Sequence, residues 1–143
     1  MLVTIDGFPA WVWDDPALPM PFLQRLAREG AVVMAPAPSF AMFSMNALFY
    51  RLRFVGVTLR DDFSLDTDAF LAVMVKEQPA LVWLAFPNNP TGYLPSEADL
   101  RRILSLAEER GIIVFCDEMY RLLERTEFTR LPTASTIYDN VIS

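Results

Sequence analysis

Ala80-Leu81-Val82-Trp83-Leu84-Ala85-Phe86, running directly into Pro87-Asn88-Asn89-Pro90-Thr91-Gly92, is the stretch on which the fold turns. An unbroken apolar run closed by turn-forming residues suits a strand covered on both faces, as in a parallel sheet. Ile112-Ile113-Val114-Phe115-Cys116 is a second such run, closed by Asp117-Glu118-Met119-Tyr120. Between the two, Leu100, Ile103, Leu104 and Ala107 recur at i, i+3, i+4 and i+7, which is one face of a helix. Strand, helix and strand form a βαβ unit, whose strands are parallel and whose crossover is right-handed. Polar residues follow both strand ends, at the edge where open α/β sheets bind their ligands.

Working outward, Pro95 and Ser96 open the intervening helix, with Glu97 and Asp99 in its first turn, and Gly111 closes it after Arg110. Upstream, Asp66 caps a helix running to about Gln78, with Phe70, Val73 and Met74 as its buried stripe and Pro79 as its stop. Arg53 to Thr58 reads as a strand. A helix capped by Ser39 extends to about Tyr50, and Ala31 to Ala35 is a short strand closing at Pro36-Ala37-Pro38. A further helix spans Pro21 to Glu29 on Phe22, Leu23, Leu26 and Ala27, with Gly30 as its C′ residue. Residues 1–20 crowd Trp11, Trp13, Pro16 and Pro19 together and favour no regular element. Residues 120–135 read as loop and short helix, and Tyr138 to Ser143 as a fifth strand. Helices alternating with apolar strands predict an α/β protein, three-layer α/β/α with a mostly parallel sheet.

Composition narrows the function. The chain of 143 residues is 53% hydrophobic and 21% charged, as expected of one globular domain. A net charge of -6 and a pI near 4.6 argue against nucleic acid or an anionic membrane as partner. No apolar run approaches the roughly 20 residues of a membrane span, and Asp6 interrupts the N-terminus where a signal peptide would be apolar. A soluble, cytoplasmic protein is expected. Cys116 is the single cysteine, so no disulfide can form within the chain. There is no histidine, which removes the commonest general base and metal ligand, and one lysine, Lys76.

Taken alone, Asn88-Asn89-Pro90-Thr91-Gly92 is a turn. An apolar strand ending in Asp117-Glu118 also suits the magnesium-binding strand of a P-loop nucleotidase, but the G-x-x-x-x-G-K-[ST] loop is missing and Lys76 has no glycine near it. A dinucleotide-binding sheet fails for want of its glycine-rich turn. Together, Asn89-Pro90-Thr91-Gly92 and, roughly twenty-five residues on, Asp117-Glu118-Met119-Tyr120 resemble the class I/II aminotransferases of the pyridoxal-phosphate fold type I, nearest the histidinol-phosphate branch. Pro38-Ser39-Phe40 resembles the Pro-x-aromatic segment of the same family. The resemblance covers residues 21–143, implying a partial cofactor-binding large domain there and leaving 1–20 unassigned.

That resemblance implies pyridoxal 5′-phosphate as cofactor and gives four residues roles. Asp117 would sit beside the pyridine nitrogen and keep it protonated, so that the ring acts as an electron sink; the cationic ring in turn offsets the cost of burying a carboxylate. Asn89 and Tyr120 would bond the phenolic oxygen, and Phe40 would stack on the ring face. Asn88, Thr91 and Gly92 shape the loop, Trp83 and Cys116 belong to the core, and Glu118 receives no role. The implied reaction moves an amino group between an amino-acid-like donor, such as histidinol phosphate or glutamate, and a 2-oxo acid, within a homodimer.

The family's Schiff-base lysine follows the strand that opens at Asn140-Val141-Ile142-Ser143, so the sequence as written is expected to lack it and to be inactive alone. Lys76, beside Glu77 on a surface helix, is no substitute. A phosphate-binding glycine turn is expected before residue 21, where Asp14 and Asp15 would instead repel a phosphate. The alternative is a non-catalytic, truncated or degenerate protein acting as an assembly partner, its open sheet edges favouring association.

Overall fold

The computed structural model describes residues 30–123 and 130–142. The expected helix over residues 21–29, and residues 1–20, lie outside them. Among the described residues five strands alternate with three helices: β1 (Val32–Ala37), α1 (Ala41–Phe49), β2 (Arg53–Thr58), α2 (Thr67–Glu77), β3 (Leu81–Ala85), α3 (Glu97–Arg110), β4 (Ile113–Asp117), a 3-10 turn (Ala134–Thr136) and β5 (Val141–Ile142). The strand order is β2-β1-β3-β4-β5, and every pairing among the described residues is parallel. Among these residues no helix is long and apolar enough to cross a membrane.

The two apolar runs behave as parallel-sheet strands because the pleat sends alternate side chains to opposite faces, both covered. Met34, Val82, Leu84, Val114 and Cys116 face one way, against Phe70 and Met74 of α2 and Leu100, Ile103, Leu104 and Ala107 of α3. Val33, Ala35, Leu81, Trp83 and Ala85 face the other, against Phe43 and Ala47 of α1. Handedness explains this division. The chain steps from β1 to β2 in one direction, then returns past β1 to β3 and β4 in the other. Right-handed crossovers made in opposite directions put their helices on opposite faces. The three layers follow, and the step reverses between β1 and β3.

Helix ends follow local chemistry at two of the three helices. Asp66 accepts the Ala69 N–H at 3.0 Å to cap α2, and Ser96 accepts the Asp99 N–H at 3.0 Å to cap α3. Gly111 closes α3 in the left-handed region at φ 61°, where a Cβ would be strained; α2 ends on Gln78 at φ 46° without that relief. Two expectations are corrected. Ser39 does not cap α1: Phe40 holds the N-cap position without a side-chain bond, because the Ser39 hydroxyl is engaged by a residue of another loop. The fifth strand is Val141–Ile142, not a run from Tyr138; Tyr138 is drawn into the core instead, its hydroxyl donating to the Ile112 carbonyl at 2.9 Å.

Candidate active site

The reversal between β1 and β3 leaves a crevice at the carboxyl ends of those strands, because the chain departs from it in both directions. The Pro38-Ser39-Phe40 loop leaves β1 there and the Asn88–Gly92 loop leaves β3. The two are joined: the Ser39 hydroxyl donates to Asn88 Oδ1 at 2.7 Å, and Asn88 Nδ2 donates to the Pro38 carbonyl at 3.0 Å and to Thr91 Oγ1 at 2.8 Å. Asn88 is buried, and its backbone closes the second loop by donating to the Tyr93 carbonyl at 2.8 Å and accepting the Gly92 N–H at 2.7 Å. Gly92 turns that loop at φ 71°, a left-handed conformation that side chains resist. The peptides preceding Pro38, Pro87 and Pro90 are cis.

Of the four residues singled out in sequence, Asn89 and Tyr120 line one cleft of about 850 Å3, together with Ser96, Leu123 and Leu131. Asn89 directly follows Asn88, yet no hydrogen bond engages its side chain among the described residues. Tyr120 is 42% exposed. Asp117 ends β4, paired in register with Ala85, and its carbonyl accepts the Phe86 N–H at 3.0 Å. One of its carboxylate oxygens accepts the Met119 N–H at 3.0 Å; the other has no hydrogen bond among the described residues. Neither Asp117 nor Phe40 lines the cleft. Phe40 stands at the start of α1, 39% exposed, edge-on to Phe43 at 5.7 Å, and Phe43 stacks on Trp83 at 5.5 Å. All four therefore lie on the carboxyl edge of the sheet, carried by β1, β3 and β4.

Glu118, given no role in sequence, braces the same edge. Its Oε1 accepts the Ala134 N–H at 2.8 Å and its Oε2 lies 3.7 Å from Arg121 Nε, while Arg121 reaches the Leu131 carbonyl at 3.4 Å. Tyr120 lies in sequence between the two braced residues, Glu118 and Arg121. No spacing rule signals the brace, since Ala134 is sixteen residues away. Cys116 is buried; desolvation first, then the Glu118 and Asp117 carboxylates, push its thiol far up, so it stays neutral and is no nucleophile. Lys76 lies at the end of α2, which runs antiparallel to the strands, and so at the opposite edge of the sheet. Its side chain is 80% exposed, 3.4 Å from Glu77.

Asn89 and Tyr120 thus place an amide and a phenol in one cleft, while Phe40 and the Asp117 carboxylate stand on the same edge of the sheet outside its lining. Comparison with known proteins bears on this. The family model for aminotransferase class I and II matches residues 21–141. A histidinol-phosphate aminotransferase of Burkholderia pseudomallei is 44% identical over 116 residues, covering 81% of this chain and 31% of the relative. That of Cupriavidus pinatubonensis is 52% identical over 98 residues, covering 66% and 26%. Among solved structures, the PLP-bound C-S lyase of Staphylococcus hominis superposes with a TM-score of 0.72 at 21% identity, covering 85% of this chain and 33% of its own. The histidinol-phosphate aminotransferase of Clostridium acetobutylicum gives 0.66 at 20%, covering 84% and 36%. At such identities these two show the fold. The chain spans about a third or less of the length of these curated relatives.

Proposed function

The chain belongs to the aminotransferase class I and II family, and from that premise we propose that it is the ring-holding part of a pyridoxal-phosphate-dependent aminotransferase of the histidinol-phosphate type. What carries the reading is the meeting of the Phe40 and Asn89 loops at the β1/β3 reversal, with Asp117 ending the neighbouring strand. Pyridoxal phosphate, when bound, supplies an electron sink for amino-group transfer. In this reading Asp117 holds a proton on the pyridine nitrogen through the carboxylate oxygen that Met119 leaves available. Asn89 and Tyr120 hold the phenolic oxygen from the cleft they share, and Phe40, steadied by Phe43, covers one ring face. The transfer itself, between a donor such as histidinol phosphate or glutamate and a 2-oxo acid, belongs to the whole protein.

Lys76 takes no part. Its place at the far edge of the sheet keeps it from any ring held between Asn89 and Asp117.

A ring probe tests the assignment. Pyridoxal phosphate and 4′-deoxypyridoxine phosphate, which has no aldehyde and so cannot react with an amine, are titrated into the chain by equilibrium dialysis. Binding of both is expected. Asp117→Ala and Asn89→Ala should each weaken it by about tenfold or more, the worth of one charge-assisted or buried hydrogen bond. Unchanged affinity in both variants would sink the assignment. Borohydride treatment with pyridoxal phosphate should leave Lys76 without a stoichiometric adduct.

The homodimer is part of the same reading. Its support is α1, a helix with no charged residue, on which Leu48 and Phe49 are 69% and 68% exposed.

A further inference from the structure

Asn88 is one of two buried polar residues among those described, the other being Thr67. A buried amide is retained only if its polar atoms are engaged, and here both of them are. Its oxygen accepts from Ser39, and its two amide protons go to the Pro38 carbonyl and Thr91 Oγ1. The partners lie 49 and 50 residues upstream and three downstream, on loops that leave different strands. No backbone hydrogen bond of the described residues joins the 38–40 segment to the 88–93 segment, so the Asn88 side chain and Ser39 are the polar link between them. Each loop carries one candidate ring contact next to that link: Phe40 follows Ser39, and Asn89 follows Asn88.

We propose that Asn88 is a positioning residue that joins the β1 and β3 loops into one rigid body and so fixes Phe40 and Asn89 relative to each other. The consequence for ring binding rests on the pyridoxal-phosphate reading above; the mechanical coupling does not. A ring gripped on its face by one loop and on its oxygen by the other needs both at a fixed separation. Were the loops independent, ordering them would fall on the binding step.

Two measurements decide the proposal separately. In amide hydrogen exchange, Asn88→Ala should release Gly92 and Tyr93 and also the start of α1, where Phe43 N–H bonds the Phe40 carbonyl. Ser39→Ala, which deletes only the bond to Asn88 Oδ1, should release both segments to a lesser extent. Loss of protection confined to residues 88–93 in both variants overturns the coupling. In the second measurement, 4′-deoxypyridoxine phosphate binding should weaken by at least about tenfold in Asn88→Ala and by less in Ser39→Ala. Thr91→Ser, which keeps the hydroxyl acceptor, should bind as the unaltered chain does, whereas Thr91→Val should not. Full affinity in Asn88→Ala, or equal loss in Thr91→Ser and Thr91→Val, overturns the positioning role. If the unaltered chain does not bind the probe, the pyridoxal-phosphate reading falls, and the exchange result still decides whether Asn88 couples the loops.

Discussion

Tyr138 is 5% exposed, and its hydroxyl donates to the Ile112 carbonyl at 2.9 Å while accepting from Asn140 Nδ2 at 3.1 Å. Ile112 precedes β4 and Asn140 precedes β5, so one phenol ties the entrances of two neighbouring strands. Burial raises its pKa, so the donor proton persists well into the alkaline range. Tyr138→Phe keeps the ring's packing but strips the Ile112 carbonyl of this donor. A loss of about 1–3 kcal/mol is expected in urea unfolding; a change below about 0.5 kcal/mol, the level of an ordinary surface substitution, would show the bond to be dispensable. At this scale sequence separates roles only partly. The Asn88-Asn89 pair reads as loop former and ligand contact from family resemblance, but nothing local distinguishes two adjacent asparagines. The three side-chain bonds of Asn88, against none for the Asn89 side chain among the described residues, are a matter of which residues of another loop come near.

At the scale of elements, α2 and α3 begin on side chains whose ionisation the fold has altered. The Asp66 carboxyl is held below its ordinary value of 3.8 chiefly by the Ala69 N–H, and Asp99 chiefly by the Ser96 hydroxyl at 2.7 Å. A depressed folded-state pKa contributes stability that is complete above 3.8 and lost as pH falls through the lower folded value. Urea midpoints measured from pH 7 downward should therefore hold level until the carboxylate range and then fall. Asp66→Asn keeps an acceptor for Ala69 without a titrating group, so its midpoint should fall less steeply; an identical slope would remove Asp66 from the account. These caps were readable because each is a contact over three residues. Ser39 has the same local form and does not cap, since a buried amide 49 residues away offers its hydroxyl a better partner.

Across the whole molecule, α2 and α3 cover one face of the sheet while α1 stands alone on the other among the described residues. Phe43 and Ala47 turn inward and leave Leu48 and Phe49 outward, an apolar surface that needs cover. If a second copy supplies it, the chain should sediment as a dimer, and Leu48→Glu with Phe49→Glu should shift it to monomer while the sheet's circular dichroism is kept. A monomer before and after substitution would count against the homodimer.

The apolar runs, the helical period between them and the residues at the strand ends determined from sequence alone that this is a parallel α/β sheet with its polar edge past Phe86 and Cys116. Those features are local, set by the pleat, the helical turn and the shortest hydrogen bonds. The strand order β2-β1-β3-β4-β5, and with it the crevice between β1 and β3, was decided only by the tertiary structure. So was the bond from Ser39 to Asn88 that joins the two loops there. Handed crossovers and the burial of one amide act between residues far apart in the chain, and no periodicity within a window of sequence records them.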